Sequence, residues 1–215
     1  MHAMTLALFD QEPRLLLAPE AWLLRGFADN DGVNVLDALR GVLTLAPLRN
    51  MLTPGGQRMS VAMTNCGALG WVSDRGGYRY VHADPVGGRP WPVMPTVFFS
   101  LAQRAAQAAG FSQFVPDACL INRYHSGDQL SLHQDKDERD FSQPIVSVSL
   151  GISAVFLLGG LARKDRPRRL TLTHGDVVVW GGQSRLNYHG IAPIAPASHP
   201  LTGEYRFNLT FRQAG

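Results

Sequence analysis

The sequence predicts a mainly β fold with flanking helices, built on a double-stranded β-helix, or jelly roll. Three observations lead there. From residue 118 onward, eight short segments rich in branched and aromatic residues alternate with turn residues, at 119–124, 129–133, 145–151, 154–159, 169–173, 176–180, 187–191 and 204–212. Their connections are short and carry Gly, Pro, Asp and Ser, as two packed antiparallel sheets need. Only two stretches have helical spacing, and both precede these strands.

Taken in chain order, residues 1–18 show no firm periodicity and read as an N-terminal extension. Residues 33–45 place Val35, Leu36, Leu39, Val42 and Leu43 on one side of a helix, which Pro47 closes. Residues 50–92 have a different texture, with eight glycines and the aromatic residues Trp71, Tyr78, Tyr80 and Trp91. They read as short strands and loops outside the core, the kind of segment that forms a lid. A second helix is expected over 96–109, stopped by Gly110. The chain is therefore expected to be one domain, 1–215. It divides into extension and helix (1–49), lid (50–92), and helix plus jelly roll (93–215).

The bulk numbers agree with a folded, soluble protein. Of 215 residues, 45% are hydrophobic and 17% charged. No run of 18 apolar residues and no secretory apolar region is present, so the expected location is the cytoplasm, with no membrane partner. Cys66 and Cys119 have no CxxC spacing and are expected to be buried free thiols. The net charge of +3 permits a polyanionic partner without demanding one. The run 163–169 holds five basic residues and reads either as a solvated loop or as a phosphate contact.

Residues 130–138, LSLHQDKDE, pose the chemical question. Side chains at i and i+2 of a strand share a face, so His133 and Asp135 point the same way. They are a metal pair or a surface ion pair. The last strand raises a matching question. Arg206, Asn208, Thr210 and Arg212 share one face, opposite Tyr205, Phe207, Leu209 and Phe211. If that face meets solvent, the pattern is ordinary. If it lines a barrel interior, two arginines and an asparagine surround something anionic. Asn122 and Tyr124 leave the same choice open. A histidine and a carboxylate two apart, joined by one distant histidine, form the facial triad of non-heme Fe(II), which leaves coordination positions free. His174, His189 and His199 can supply the distant ligand; His189, on a strand of its own, is preferred. His174-Gly-Asp176 repeats the spacing, but its glycine suggests a tight turn. Asp137 lies beyond the strand and suits a supporting or substrate role.

Assembled, these residues resemble the AlkB family of Fe(II)/2-oxoglutarate-dependent dioxygenases. The resemblance rests on NCGALGW (65–71), PDACLINRY (116–124), LSLHQDKDE (130–138), HGDVVVWGG (174–182) and YRFNLTFRQAG (205–215). It implies iron on His133, Asp135 and His189, which are then the catalytic centre. It implies 2-oxoglutarate held by Arg206, with Asn122, Tyr124 and Asn208 donating further hydrogen bonds. Arg212 is expected near the keto-acid end, and O2 takes the remaining position. Decarboxylation to succinate and CO2 then supplies the oxidant that hydroxylates an N-methyl group, which leaves as formaldehyde. The implied function is direct-reversal DNA repair on 1-methyladenine and 3-methylcytosine type bases, in single- or double-stranded DNA or in RNA, by a monomer. A nucleotide-recognition lid would supply Trp71 to stack on the base, Tyr78 near a phosphate, and Thr53 and Met63 to shape the pocket. Asp137 would face the exocyclic amine, and Arg163 a phosphate at the mouth. Two rivals remain: an oxygenase acting on a small molecule or protein side chain, and a non-catalytic metal-binding jelly roll.

Overall fold

The computed structural model describes residues 13–215. Most of the expected N-terminal extension, residues 1–12, lies outside the described residues. Its remainder is not an extension: Arg14–Ala18 is strand β1, paired antiparallel with β2 (Ala21–Leu24). Helix α1 (Gly32–Leu45) follows, then β3 (Arg49–Leu52), β4 (Arg58–Gly67), β5 (Gly70–Asp74) and β6 (Gly77–Val81). After α2 (Thr96–Ala108) come the jelly-roll strands β7 (Ala118–Tyr124), β8 (Leu130–His133), β9 (Ile145–Gly151) and β10 (Ala154–Leu158). They continue with β11 (Arg168–Leu172), β12 (Val177–Trp180), β13 (His189–Ile191) and β14 (Arg206–Arg212). All eight strands expected beyond residue 118 are present.

The eight divide into two four-stranded layers. One runs β11-β10-β13-β8. The other, β12-β9-β14-β7, sits inside an eight-stranded sheet extended by β2 and β1 at one edge and by β4 and β3 at the other. The expectation that residues 50–92 lie outside the core is thus wrong for residues 50–67. Strand β4 pairs with β7 from Ala62↔Arg123 to Gly67↔Ala118, and Val61 to Cys66 are buried. The glycines that suggested a loop sit at the β3–β4 turn and at the end of β4, not within it. Only β5 and β6 form a separate two-stranded hairpin.

The helices cover the outer face of the large sheet. Val35, Leu36, Leu39 and Val42 of α1, and Phe98, Leu101, Ala102, Ala105 and Ala106 of α2, pack with Ile121, Val146, Val148, Leu209 and Phe211 in one apolar cluster. Small residues along α2 let its backbone approach the sheet. Phe98 meets Phe211 edge to face at 6.1 Å. Gly110 adopts φ +100 and ends α2. Its N–H donates to Gln107 O while Phe111 N–H donates to Ala106 O, a complete Schellman closure. A second apolar cluster, with Met63, Tyr124, Phe156, Leu158, Val178, Trp180 and Ile191, fills the space between the layers.

Helices on one side and the small layer on the other bury β14 on both faces. Leu209 and Phe211 face the helices; Arg206, Asn208, Thr210 and Arg212 are turned into the jelly roll and are buried. Asn122 and Tyr124 on β7 are buried as well. The solvent reading of these polar faces is therefore excluded. Cys66 and Cys119 are opposed, free and buried. Among the described residues no helix is long and apolar enough to cross a membrane.

Candidate metal and co-substrate centre

Strands β8 and β13 pair with His133 directly opposite His189. Asp135 follows the end of β8, and its carboxylate turns back between the two rings. Asp135 Oδ1 lies 3.6 Å from His133 Nε2, and Oδ2 lies 3.7 Å from His189 Nε2. These gaps are too long for hydrogen bonds. They suit ligands that share one ion, since bonds of about 2.0–2.2 Å set such neighbours about 3–4 Å apart. One ligand atom from each residue falls within 4.8 Å of the others.

The surroundings prepare each ligand. His133 Nδ1–H donates to Ser131 O at 2.8 Å, and His189 Nδ1–H to Asn187 O at 3.1 Å. With Nδ1 protonated, Nε2 keeps its lone pair. Burial, then the neighbouring His133 ring, pushes the His189 imidazole down to about 4, against the pull of Asp135. It is therefore neutral near pH 7. For Asp135 the largest single influence, burial, favours the protonated acid. Arg212 and then the two imidazoles outweigh it and hold the carboxyl well below the usual carboxylate range. Arg212 Nη2–H donates to Asp135 Oδ2 at 2.5 Å.

Deeper in the jelly roll, Arg206 is 1% exposed. Nη2–H donates to Ser149 Oγ at 3.0 Å, and the guanidinium carbon lies 5.0 Å from the Tyr124 ring centroid. Nε and Nη1 are buried with no partner, and Asn122 Oδ1 is likewise unmatched. An unpaired buried guanidinium is costly, by several kcal/mol per uncompensated ion. A carboxylate entering the cavity would supply the acceptor that this guanidinium lacks. These orphan donors fit a dicarboxylate anchored at its far end. Asn208 is fixed by its Nδ2–H bonds to Ser147 Oγ and Val148 O.

The lid residues divide between the rim and the core. Trp71 of β5 stacks on Tyr78 of β6 at 5.5 Å and 13°. Its Nε1–H donates to Asp137 Oδ2 at 2.8 Å, so Asp137 ties the hairpin to the loop that carries Asp135. Met63 is buried on β4, opposite Asn122. Thr53 Oγ1 accepts from Gln57 N–H and shapes the β3–β4 turn. Arg163 is exposed in the β10–β11 connection. The alternative histidines are elsewhere: His174 and His199 stack on each other at 4.5 Å. Gly175 adopts φ +81, and Asp176 is taken up by Arg25, the Gly26 N–H and Thr173, a structural turn with no ligand to spare.

Sequence reasoning missed three neighbours of the centre. Glu138 is buried and accepts from Tyr80 OH at 2.7 Å and Arg185 Nη2–H at 3.0 Å. Arg185 Nη1–H also donates to the Asp135 backbone O at 2.8 Å. Ser149 braces Arg206. The serines had a signal, since Ser147 and Ser149 alternate with Val146 and Val148 as an inward polar face. Arg185 had none.

The sequence pattern of the 2OG-Fe(II) oxygenase superfamily matches residues 21–212. The chain is 59% identical over 204 residues to the alpha-ketoglutarate-dependent dioxygenase AlkB of Salmonella typhimurium, covering 95% of this chain and 93% of that one. It is 58% identical to the protein of the same name from Escherichia coli, covering 95% and 94%. The solved structure of OsALKBH1 superposes with a TM-score of 0.80 at 32% identity, over 94% of this chain and all of that one. With a His-Asp-His cluster able to hold a metal ion and an orphaned arginine in the same jelly roll, the chain belongs to the 2OG-Fe(II) oxygenase superfamily as an AlkB-type dioxygenase, an enzyme that uses Fe(II), 2-oxoglutarate and O2.

Proposed function

We propose that this enzyme removes alkyl groups from N-alkylated nucleobases of the 1-methyladenine and 3-methylcytosine type in DNA, and also in RNA, as a direct-reversal repair. His133, Asp135 and His189 hold the iron. Arg206, Asn122, Tyr124 and Asn208 hold 2-oxoglutarate, and Arg212 orients the metal carboxylate beside its keto-acid end. When bound, iron and co-substrate supply the oxidant that hydroxylates the N-alkyl carbon; the hydroxymethyl product falls away as formaldehyde. The protein's own part is to position, to exclude water and to select.

The contact between Trp71 and Asp137 carries the substrate reading. It sets a flat electron-rich ring and a carboxylate side by side, two residues past Asp135. Both favour a planar cation, which is what these methylated bases are at neutral pH. In this reading Met63 and Thr53 would shape the pocket, Tyr78, stacked on Trp71, would lie near a nucleotide phosphate, and Arg163 would offer a phosphate contact at the mouth. A base in a duplex must leave its stack to reach the iron. The modest net charge of +3 suits weak, salt-sensitive sampling of nucleic acid. The reading takes the enzyme to act as a monomer.

Formaldehyde release tests this. Oligonucleotides carrying one 1-methyladenine or 3-methylcytosine, as matched single- and double-stranded DNA and RNA, should yield product that depends on Fe(II) and 2-oxoglutarate. Turnover of free metabolites or peptides, with none on any oligonucleotide, would replace the reading with that of a small-molecule or side-chain oxygenase.

A further inference from the structure

Glu138 sits one residue beyond the exposed Asp137 yet has a different environment. Its side chain is 2% exposed and meets three protein donors. Oε2 accepts from Arg185 Nη2 at 3.0 Å. Oε1 accepts from Tyr80 OH at 2.7 Å and faces Arg212 Nε at 3.2 Å. The carboxylate is buried among these groups, so direct substrate contact does not explain it.

The shared donor is informative. Arg212 Nε carries a single hydrogen. It donates to Asp135 Oδ2 at 3.1 Å and lies 3.2 Å from Glu138 Oε1 as an ion pair, so one guanidinium faces two carboxylates. Asp135 and Glu138 are balanced by Arg212 and Arg185, a quartet with no net charge. Arg185 touches both acids, giving Nη1–H to the Asp135 backbone and Nη2–H to Glu138. Take away the negative charge of Glu138 and the quartet becomes a net cation beside the metal position. Arg212 is then left with Asp135 as its one carboxylate partner in this quartet, drawing off electron density that would go to a metal.

We propose that Glu138 is a positioning residue of the iron centre: its buried charge divides Arg212 between two carboxylates and keeps Asp135 a strong donor to a divalent cation. This rests on the assignment of His133, Asp135 and His189 as metal ligands. A charge-based role differs from simple bracing, because it depends on the sign at residue 138 and not on the hydrogen bond to Tyr80.

The test is equilibrium binding of Mn(II) to the metal-free full-length protein, without 2-oxoglutarate, read by the electron paramagnetic resonance of free Mn(II), with a thermal melt of each variant. Glu138→Gln should weaken Mn(II) binding by about tenfold or more, since a charge on partly buried neighbours acts through a low effective dielectric. Tyr80→Phe and Glu138→Asp keep the charge and should bind within about threefold of wild type. Unchanged affinity in Glu138→Gln overturns the proposal. So does a loss in Glu138→Asp as large as that in Glu138→Gln, which would mean that shape governs. If Glu138→Gln does not fold, Glu138→Asp decides: binding within about threefold of wild type upholds the proposal, and a loss of about tenfold or more with the charge retained overturns it. Failure of the wild-type protein to bind Mn(II) would instead sink the ligand assignment on which the proposal rests.

Discussion

His133 and His189 are register partners on β8 and β13, with ring centroids 4.4 Å apart. Residues 56 positions apart thus meet through a backbone ladder. Side chains alternate faces along a strand, so a slip of one residue would turn one ring out of the centre. Trp180 and Phe156 pack against His189 and hold its ring in place, at 4.9 and 6.2 Å.

That arrangement makes the ligands separable from the fold. His189→Ala should abolish tight Mn(II) or Fe(II) binding and lower turnover by at least about 100-fold, since even partners of ligands cost 10–100-fold. It should leave the far-ultraviolet circular dichroism of the protein unchanged, because the β8–β13 ladder uses backbone groups. His133→Ala should behave alike. Binding and formaldehyde release that persist in both variants would mean that the cluster is not the metal centre.

Arg206→Lys keeps the buried charge and loses the planar fork. A guanidinium edge can grip a carboxylate at two points, which an ammonium cannot reproduce, and two of the Arg206 nitrogens have no partner in the protein. Loss of one charge-assisted hydrogen bond costs about 1.5–3 kcal/mol, or roughly 10–100-fold in the 2-oxoglutarate concentration for half-maximal rate. Iron binding measured without 2-oxoglutarate should not move. An unchanged 2-oxoglutarate requirement would show that another cation, Arg212 foremost, holds the far carboxylate.

How far the sequence reveals this centre follows from where the signals are local. The pair His133 and Asp135 is local to one strand end, and Arg206 to Arg212 to one strand face, so type and spacing suffice to flag them. Whether that face was wet or buried was not local. It depends on the small layer folding over β14, which no alternation within 204–212 encodes. Strand β4 was hidden for the opposite reason: buried on both faces, it lacks alternation, and the glycines around it imitate a loop. Glu138 was masked by the charged residues on either side of it. Its burial depends on Arg185 and Tyr80, which are 47 and 58 residues away in the chain.

The depressed imidazole predicts a pH dependence of the metal-free protein. His189 titrates near 6.5 when unfolded and at about 4 when folded. Between those values the unfolded chain binds a proton that the folded one refuses, so stability falls as pH drops from 6.5 towards 4. The full effect is about 3 kcal/mol, at 1.36 kcal/mol per unit. Urea melts in the presence of a chelator should show this slope, and His189→Gln should flatten it by up to one proton. Equal slopes in the two proteins would mean that the ring titrates normally in the fold.

Trp71 offers a test of what the lid selects. Its ring has two functions that substitutions can separate: a π face, and an N–H bonded to Asp137. Trp71→Phe keeps a face and loses the N–H, freeing Asp137; Trp71→Ala loses both. If the face attracts a charged base, the gain is about 1–2 kcal/mol once water is excluded. Trp71→Ala should then lower kcat/KM for cationic 3-methylcytosine about tenfold more than for a neutral etheno adduct of adenine in the same oligonucleotide. Trp71→Phe should keep most of that discrimination while weakening both substrates modestly, because the hairpin loses its tie to the metal loop. Equal losses on charged and neutral bases in Trp71→Ala would reduce Trp71 to packing against Tyr78. Discrimination lost in Trp71→Phe as fully as in Trp71→Ala would move it from the ring to the carboxylate of Asp137, which the indole N–H holds in place.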